Sequence, residues 1–302
     1  MKVFSTMVRR NSKLFFKDKG LFFTALITPL ILLVLYATFL SNVYKNSFLQ
    51  IFDAIGFQVD AKQLKGLVSG QLMSSLIAVS CVTVSFCANM LMVQDKVTGA
   101  RKDMLLTPVK RSTMALSYYV ATTLSTLIIV LIAFVACLIY VSCMGWFLSF
   151  GDVMLILLDI FLLTMFGTAL SSVINFFLSS QGQISAVGSI VSSCYGFICG
   201  AYMPISNMGN GIKNFVAFLP GTYGTALVRS HSLNRVIGKM VESGMPKEAV
   251  KEVSKLVDCS VEFFGKEVSV VGMYLILCLT IVGLIGIYVL MNYLSSKKAR
   301  KS

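Results

Sequence analysis

Asp159 is the only ionisable acid well inside a long apolar run of this chain, and His231 is its only histidine. A carboxylate in such a setting is costly to charge, so it faces protein or water. It marks a helix contact, a translocation path, or a structural hydrogen-bonding group near a membrane boundary. The layout derived below gives Asp159 no basic partner, which argues against a proton relay. His231 has no metal-binding companions around it, and H-E-x-x-H is absent. There is no G-x-x-x-x-G-K-S/T, no G-x-G-x-x-G opening a soluble unit and no nucleophile elbow, so neither a nucleotide site nor an enzyme is expected. No cofactor is expected in this chain.

Cysteine chemistry is equally sparse. Cys81, Cys87, Cys137, Cys143, Cys194, Cys199 and Cys278 lie in or beside apolar runs, Cys259 lies in a polar one, and no C-x-x-C occurs. They read as small buried hydrophobes, not as a disulfide or metal framework.

The charged groups are concentrated elsewhere. Between Asp95 and Arg111 the chain places five basic residues and two acids, in the run VQDKVTGARKDMLLTPVKRS. From Val97 to Leu106 this stretch can form a short helix with a charged and an apolar side, and Pro108 would end it. Lying across the ends of two membrane helices, it is shaped to be pushed by something docked there. A passive topology anchor would need only the charges.

The elements around it are set by composition. Of 302 residues, 56 % are hydrophobic and 13 % charged, and the mean hydropathy is +0.82. Soluble domains carry about a quarter charged residues, so this is membrane composition. The net charge of +13 comes from basic groups in short segments beside apolar runs, which fits membrane orientation and not a nucleic-acid footprint.

Six apolar segments, near 21–40, 68–93, 114–142, 153–178, 183–203 and 268–294, are each long enough for roughly 30 Å of hydrocarbon. The stretch 178–183, SSQGQ at its centre, reads as a tight turn. Residues 1–19 form an amphipathic arm, with Val3, Phe4, Met7, Val8, Leu14 and Phe15 on one side and Lys2, Arg9, Arg10, Lys13 and Lys17 on the other. That is the pattern of an interfacial helix, the alternative being a basic flank that enforces topology. Because the following apolar run is a full span with no cleavage site, the N-terminus reads as a retained first helix and not a signal peptide.

The arm, the 94–112 segment and the tail with Lys297, Lys298, Arg300 and Lys301 carry the basic excess, which places both termini in the cytoplasm. Residues 41–67 and 204–267 then face outward. Within the second, 203–227 is broken by glycines and by Pro204 and Pro220, and reads as a re-entrant hairpin or a pair of interfacial short helices. An amphipathic surface helix is expected from Pro246 through MPKEAVKEVSKLVDCSVEFF, with Val250, Val253 and Val257 on one side. The fold class is therefore an all-α polytopic membrane protein: arm 1–19, then a six-helix domain over 20–302. Ser69, Ser74, Ser75, Ser80, Thr83, Ser85 and the small residues of 167–193 suit either close helix packing or a polar substrate-lining seam.

VQDKVTGARKDMLLTPVKRS resembles the cytoplasmic segment of membrane subunits of type-2 ABC exporters. Asp95 stands at that family's acid, although glutamate is more usual there, Gly99 at its glycine, and Leu105, Leu106, Thr107, Pro108, Val109 and Arg111 follow. GAYMPISNMGNGIKNFVAFLPGTYGTALVR is similar to the segment after the fifth span, with Pro204 at its start and Leu219, Pro220 and Tyr223 in an L-P-x-x-Y pattern. The 228–267 stretch is longer than a minimal member requires. The resemblance implies an export permease in the cell membrane, working as a homodimer or heterodimer with two cytoplasmic ABC ATPases that hold the ATP and magnesium. It implies that Asp95, Gly99, Arg101, Lys102, Leu105, Leu106, Pro108 and Arg111 couple to the ATPase, with Arg9, Arg10 and Lys13 of the arm beside them. Drugs, peptides, lipids and glycans all stay open as cargo. Two other function classes stand beside this one: an ion-coupled secondary transporter or channel centred on Asp159, and a non-transporting membrane immunity or assembly factor.

Overall fold

The computed structural model describes residues 2–205 and 208–298, and it is almost wholly helical. Arg300 and Lys301 of the basic tail lie outside the described residues. Met7, Asn11 and Phe15, four residues apart, form the buried face of α1 (Lys2–Lys17), which packs on α7 (Arg111–Met144). Asp18 then caps α2 (Lys19–Leu35), its Oδ1 accepting from the Leu21 N–H at 3.1 Å.

The first span does not end near residue 40. It passes through a π-helical turn at Tyr36–Leu40 into α3 (Ser41–Ile55), which stops at Gly56 in a left-handed conformation (φ +71°). Tyr44, Phe48 and Phe52 recur every fourth residue and are all buried, so the first part of the expected 41–67 loop is a helix held against α4 (Ala61–Ala88). Lys19–Ala54 is thus one apolar helical run of 36 residues, about 54 Å long at ~1.5 Å per residue.

α4 is the axis of the molecule. Every residue from Gly66 to Ala88 is buried, with α2, α7, α8 (Phe150–Phe177), α9 (Gln181–Ile198) and α11 (Pro220–Glu242) around it. Small residues allow this crowding. A Cβ on Gly167 of α8 would lie 3.0 Å from the Cys81 carbonyl oxygen and 3.0 Å from the Val82 Cα, so the α4 and α8 backbones touch. One pair of hydroxyls bridges the same interface: Ser85 Oγ meets Thr168 Oγ1 at 3.2 Å.

Among the described residues five helical runs are long and apolar enough to cross a membrane: Lys19–Ala54, Ala61–Val97, Arg111–Met144, Phe150–Phe177 and Val270–Ser295. The expected segment 183–203 is α9, 18 residues rich in glycine, serine and glutamine, and it is not among the five. The break before it falls at Leu178–Ser180, where Ser180 Oγ accepts from the Gln183 N–H.

The 203–227 region becomes the short α10 (Asn210–Ala217) and the first part of the long α11. Tyr223 Oη donates to the Ala217 carbonyl at 2.6 Å and Thr222 Oγ1 to the Val216 carbonyl at 3.0 Å, closing the corner between them. Gly221 abuts Phe166, in mid-α8, and Tyr195 of α9. From there α11 climbs antiparallel to α4, with Arg229 beside Ser75, Leu233 against Gly70 and Val236 against Gly66. A helix that looks semi-polar in sequence is therefore largely buried and starts halfway through the bundle.

The surface helix expected from Pro246 is α12 (Lys247–Leu256), with Val253 and Val257 buried and Lys251 and Lys255 exposed. It ends earlier than the sequence suggested. Glu262–Phe263 (β1) pairs antiparallel with Lys266–Glu267 (β2), a two-residue hairpin where helix was expected. α13 (Val270–Lys298) then returns along α7, α8 and α11.

Candidate functional site

α5 (Met90–Val97) continues α4 almost without interruption, and α6 (Ala100–Leu105) follows after Gly99. The Val97–Leu106 helix expected from sequence is therefore shorter, Ala100–Leu105, with Val97 closing α5 and Gly99 at φ +85° making the corner. Pro108 lies in the turn between α6 and α7, as a helix stop should.

The charged residues of this segment point two ways. Asp95 is buried, and Arg10 of α1 grips its carboxylate with both guanidinium nitrogens, Nη1 to Oδ2 at 2.6 Å and Nη2 to Oδ1 at 3.2 Å. The Tyr118 hydroxyl of α7 donates to the same Oδ2, and Arg10 Nη1 also reaches Asn11 Oδ1 at 2.9 Å. Its hydrogen bond to the Asp95 carboxylate raises the Arg10 guanidinium above its ordinary range, against the opposing effect of partial burial.

Lys96 closes the end of α8. Its Nζ donates to the carbonyls of Asn175 (2.9 Å), Phe176 (2.7 Å) and Leu178 (3.0 Å), satisfying carbonyl groups that a helix end leaves open. Arg101 donates to Asn292 Oδ1 at 3.0 Å, and Arg111 to the Ser295 carbonyl at 3.1 Å and Oγ at 3.3 Å, both on α13. Met104, Leu105 and Val109 pack on a satellite core that includes Met7, Tyr118 and Tyr288. One short segment is thus bonded to α1, α7, α8 and α13.

Its outer side is free among the described residues. Lys102, Asp103 and Pro108 are exposed, Leu106 is 88 % exposed, and Arg9 and Lys13, which flank Arg10 on α1, are exposed as well. Asp95, Arg101 and Arg111 are therefore internal fasteners, and Lys102, Leu106 and Pro108 are the free tip. Lys96 carries no site role in the sequence reading. Its place directly after Asp95, five residues before Arg101, was the available signal.

The lack of a basic partner for Asp159 is overturned. His231 of α11 meets Asp159 Oδ2 through Nδ1 at 2.6 Å, and the Tyr274 hydroxyl of α13 donates to Oδ1 at 2.6 Å. Asp159 is 1 % exposed, so three helices converge on one buried carboxylate. The pairing escaped sequence reading because His231 was assigned to an external segment, whereas α11 folds back into the bundle.

A second buried charge, Arg229, was also missed. It is 1 % exposed, and its Nη1 lies 3.3 Å from Asp258 Oδ2 while Nη2 donates to the Gly200 carbonyl at 2.8 Å and meets Ser75 Oγ at 3.3 Å. A lone arginine in GTYGTALVRS was its only sequence signal. Of the expected re-entrant residues, Leu219 and Pro220 start α11, Tyr223 closes the α10–α11 corner, and Pro204 borders the loop leading to α10.

A comparison with curated proteins gives no match. The family model described as ABC-2 type transporter matches residues 2–232. That range runs from α1 into α11 and takes in the basic end and every helix that meets it except α13; the chain belongs to the ABC-2 type transporter family.

Proposed function

We propose that this chain is the membrane subunit of an export complex, in which two separate cytoplasmic ABC ATPases dock on the basic end and drive cargo outward. Membership of the family supports the partnership. The observation that carries the coupling role is the grip of residues 95–111 on α1, α7, α8 and α13 at once, with Leu106 and Lys102 left exposed at the tip. A push on that tip reaches four helices through charge-assisted bonds without first deforming a loop.

In this reading the basic end is cytoplasmic, with both termini there. α9 completes a set of six spans, α1 lies in the interface against α7, and α10 with the first half of α11 forms the re-entrant element entering from outside. Two permease subunits, identical or different, pair in the membrane. ATP and magnesium belong to the ATPase, because this chain offers no phosphate-binding motif. The cargo is a drug, peptide, lipid or glycan.

A cysteine at Leu106 should form a cross-link to the co-expressed ATPase, and Leu106→Asp should leave ATP hydrolysis running while export falls at least tenfold. Export that proceeds normally in Leu106→Asp would remove the tip from the coupling path. The Asp159–His231–Tyr274 cluster favours a second reading, ion-coupled transport. Uptake driven by a pH gradient in vesicles holding this chain alone, and lost in Asp159→Asn, would establish that reading instead.

A further inference from the structure

At the end opposite the basic one, α10, the start of α11, α12 and the 262–267 hairpin enclose a cavity of about 590 Å³. Three cationic side chains line it, Lys213, Arg229 and Lys255, against the two carboxylates of Asp258 and Glu262. Lys255 is neutralised by Glu262 at 2.7 Å. Lys213 forms no ion pair among the described residues. Arg229 is almost wholly buried, and its Nε has no hydrogen-bond partner among the described residues although the residue faces the cavity. Leaving a guanidinium donor unmatched in a buried place is unfavourable by itself, so the wall is one acceptor short.

Two further features converge on the same cavity. Among the described residues only Asp258 (φ +50°) and Phe264 (φ +47°) are non-glycine residues in the left-handed region, and both line it. Phe264 and Gly265 are the two central residues of the hairpin, positions where Asn-Gly is the favoured pair. A phenylalanine there is held against its backbone preference, and strain of this kind gathers at binding sites. The ring is 61 % exposed and stacks edge-on with Phe263 (4.9 Å) and Phe218 (5.7 Å), so an aromatic cluster stands at the cavity's rim.

From this geometry we infer that the cavity binds an amphiphilic anion, its headgroup between Lys213 and Arg229 and its apolar body against Phe264 and the phenylalanine cluster. A carboxylate or phosphate head supplies the acceptor that Arg229 lacks and balances Lys213. The apolar part covers rings that otherwise face water. Such an anion can be a bilayer lipid or a soluble amphiphile, and the chemistry of recognition is the same for both. The site stands whether or not the chain exports, since it rests on the cavity alone.

The test uses the full chain in phosphatidylcholine nanodiscs and a fluorescent long-chain carboxylate, 11-(dansylamino)undecanoate, with its methyl ester as the neutral control. Saturable binding of the acid is expected, at least fivefold tighter than the ester. Lys213→Gln should weaken it at least fivefold. Phe264→Asn should weaken it similarly while leaving the melting temperature equal or higher, because asparagine suits that turn position. Displacement on adding phosphatidylglycerol to the disc assigns the site to a lipid, and retention assigns it to a soluble anion. Equal affinity for the ester, unchanged affinity in both variants, or full displacement by millimolar inorganic phosphate would overturn the inference.

Discussion

Arg10 and Asp95, 85 positions apart, form a two-pronged ion pair that fastens the N-terminal helix to the end of the central one. Tyr118 shares the carboxylate, so three helices meet on two oxygen atoms. Removing one partner should be worse than removing both. Asp95→Ala strands Arg10 and Tyr118, and a loss of about 2 kcal/mol is expected after allowing for the one-third exposure of Arg10. The double variant Arg10→Ala/Asp95→Ala should lose less than the two single losses added together, a sign of direct coupling that thermal unfolding in detergent can read. Strict additivity would mean the pair contributes nothing.

Lys96 makes a separable contribution at the end of α8. Lys96→Met keeps the stem but removes the three carbonyl contacts, and about 1 kcal/mol should be lost locally. Hydrogen exchange should speed up around 175–180 and stay unchanged in α7. Uniform acceleration across the bundle would instead point to a global role.

Much of this arrangement could be read from the sequence, and the failures have physical causes. The amphipathic period of residues 2–17, the long runs of α7, α8 and α13, the break near 178 and the start at Pro246 all gave local signals strong enough to read. α3 was overlooked because Lys45 and Asp53 break up the apolar run after residue 40, although Tyr44, Phe48 and Phe52 carried a four-residue period. α11 was overlooked for a different reason. Its polar side chains find partners only across tertiary contacts, as Arg229 does with Asp258 and His231 with Asp159, and no local pattern announces a partner 29 or 72 positions away. In the 95–111 segment the sequence singled out Asp95, Arg101 and Arg111 but not that their side chains are bonded to α1 and α13.

Close backbone contact between α4 and α8 makes Gly167 intolerant. A side chain there meets the backbone of Cys81 and Val82, which cannot rotate away, so Gly167→Val must part the helices and should cost about 3 kcal/mol or prevent folding. Gly182→Ala, where a Cβ meets nothing within 4 Å, is the control and should be neutral or slightly stabilising. Comparable melting temperatures for the two variants would contradict the contact.

Burial pushes the Cys259 thiol up to about 12, from an ordinary value near 9. The folded form thus favours the protonated thiol, and the associated stability is present below pH 9 and is lost as pH rises from there towards 12. At pH 8 the thiolate is scarce, so alkylation of Cys259 by iodoacetamide should be slow in the folded chain and become fast on unfolding. Rapid labelling of the folded chain at pH 8 would show that the sulfur is not withdrawn from water.

The Asp159 cluster separates structure from transport chemistry. Asp159→Ala leaves the Tyr274 hydroxyl and the His231 ring without their shared acceptor inside the bundle, and about 3 kcal/mol should be lost. Asp159→Asn keeps a carbonyl oxygen for Tyr274 and an amide for His231 while removing the charge, so most of the stability should survive. If the cluster only joins α8, α11 and α13, ATP-driven export by Asp159→Asn should stay within twofold of the parent, measured in vesicles with the ATPase present. If the carboxylate instead handles a proton, the asparagine variant should be as stable as predicted and yet inactive. That combination, stable but dead, favours proton handling over packing, because the amide keeps the side chain's shape and the acceptor for Tyr274 while it removes the charge and turns one acceptor towards His231 into a donor.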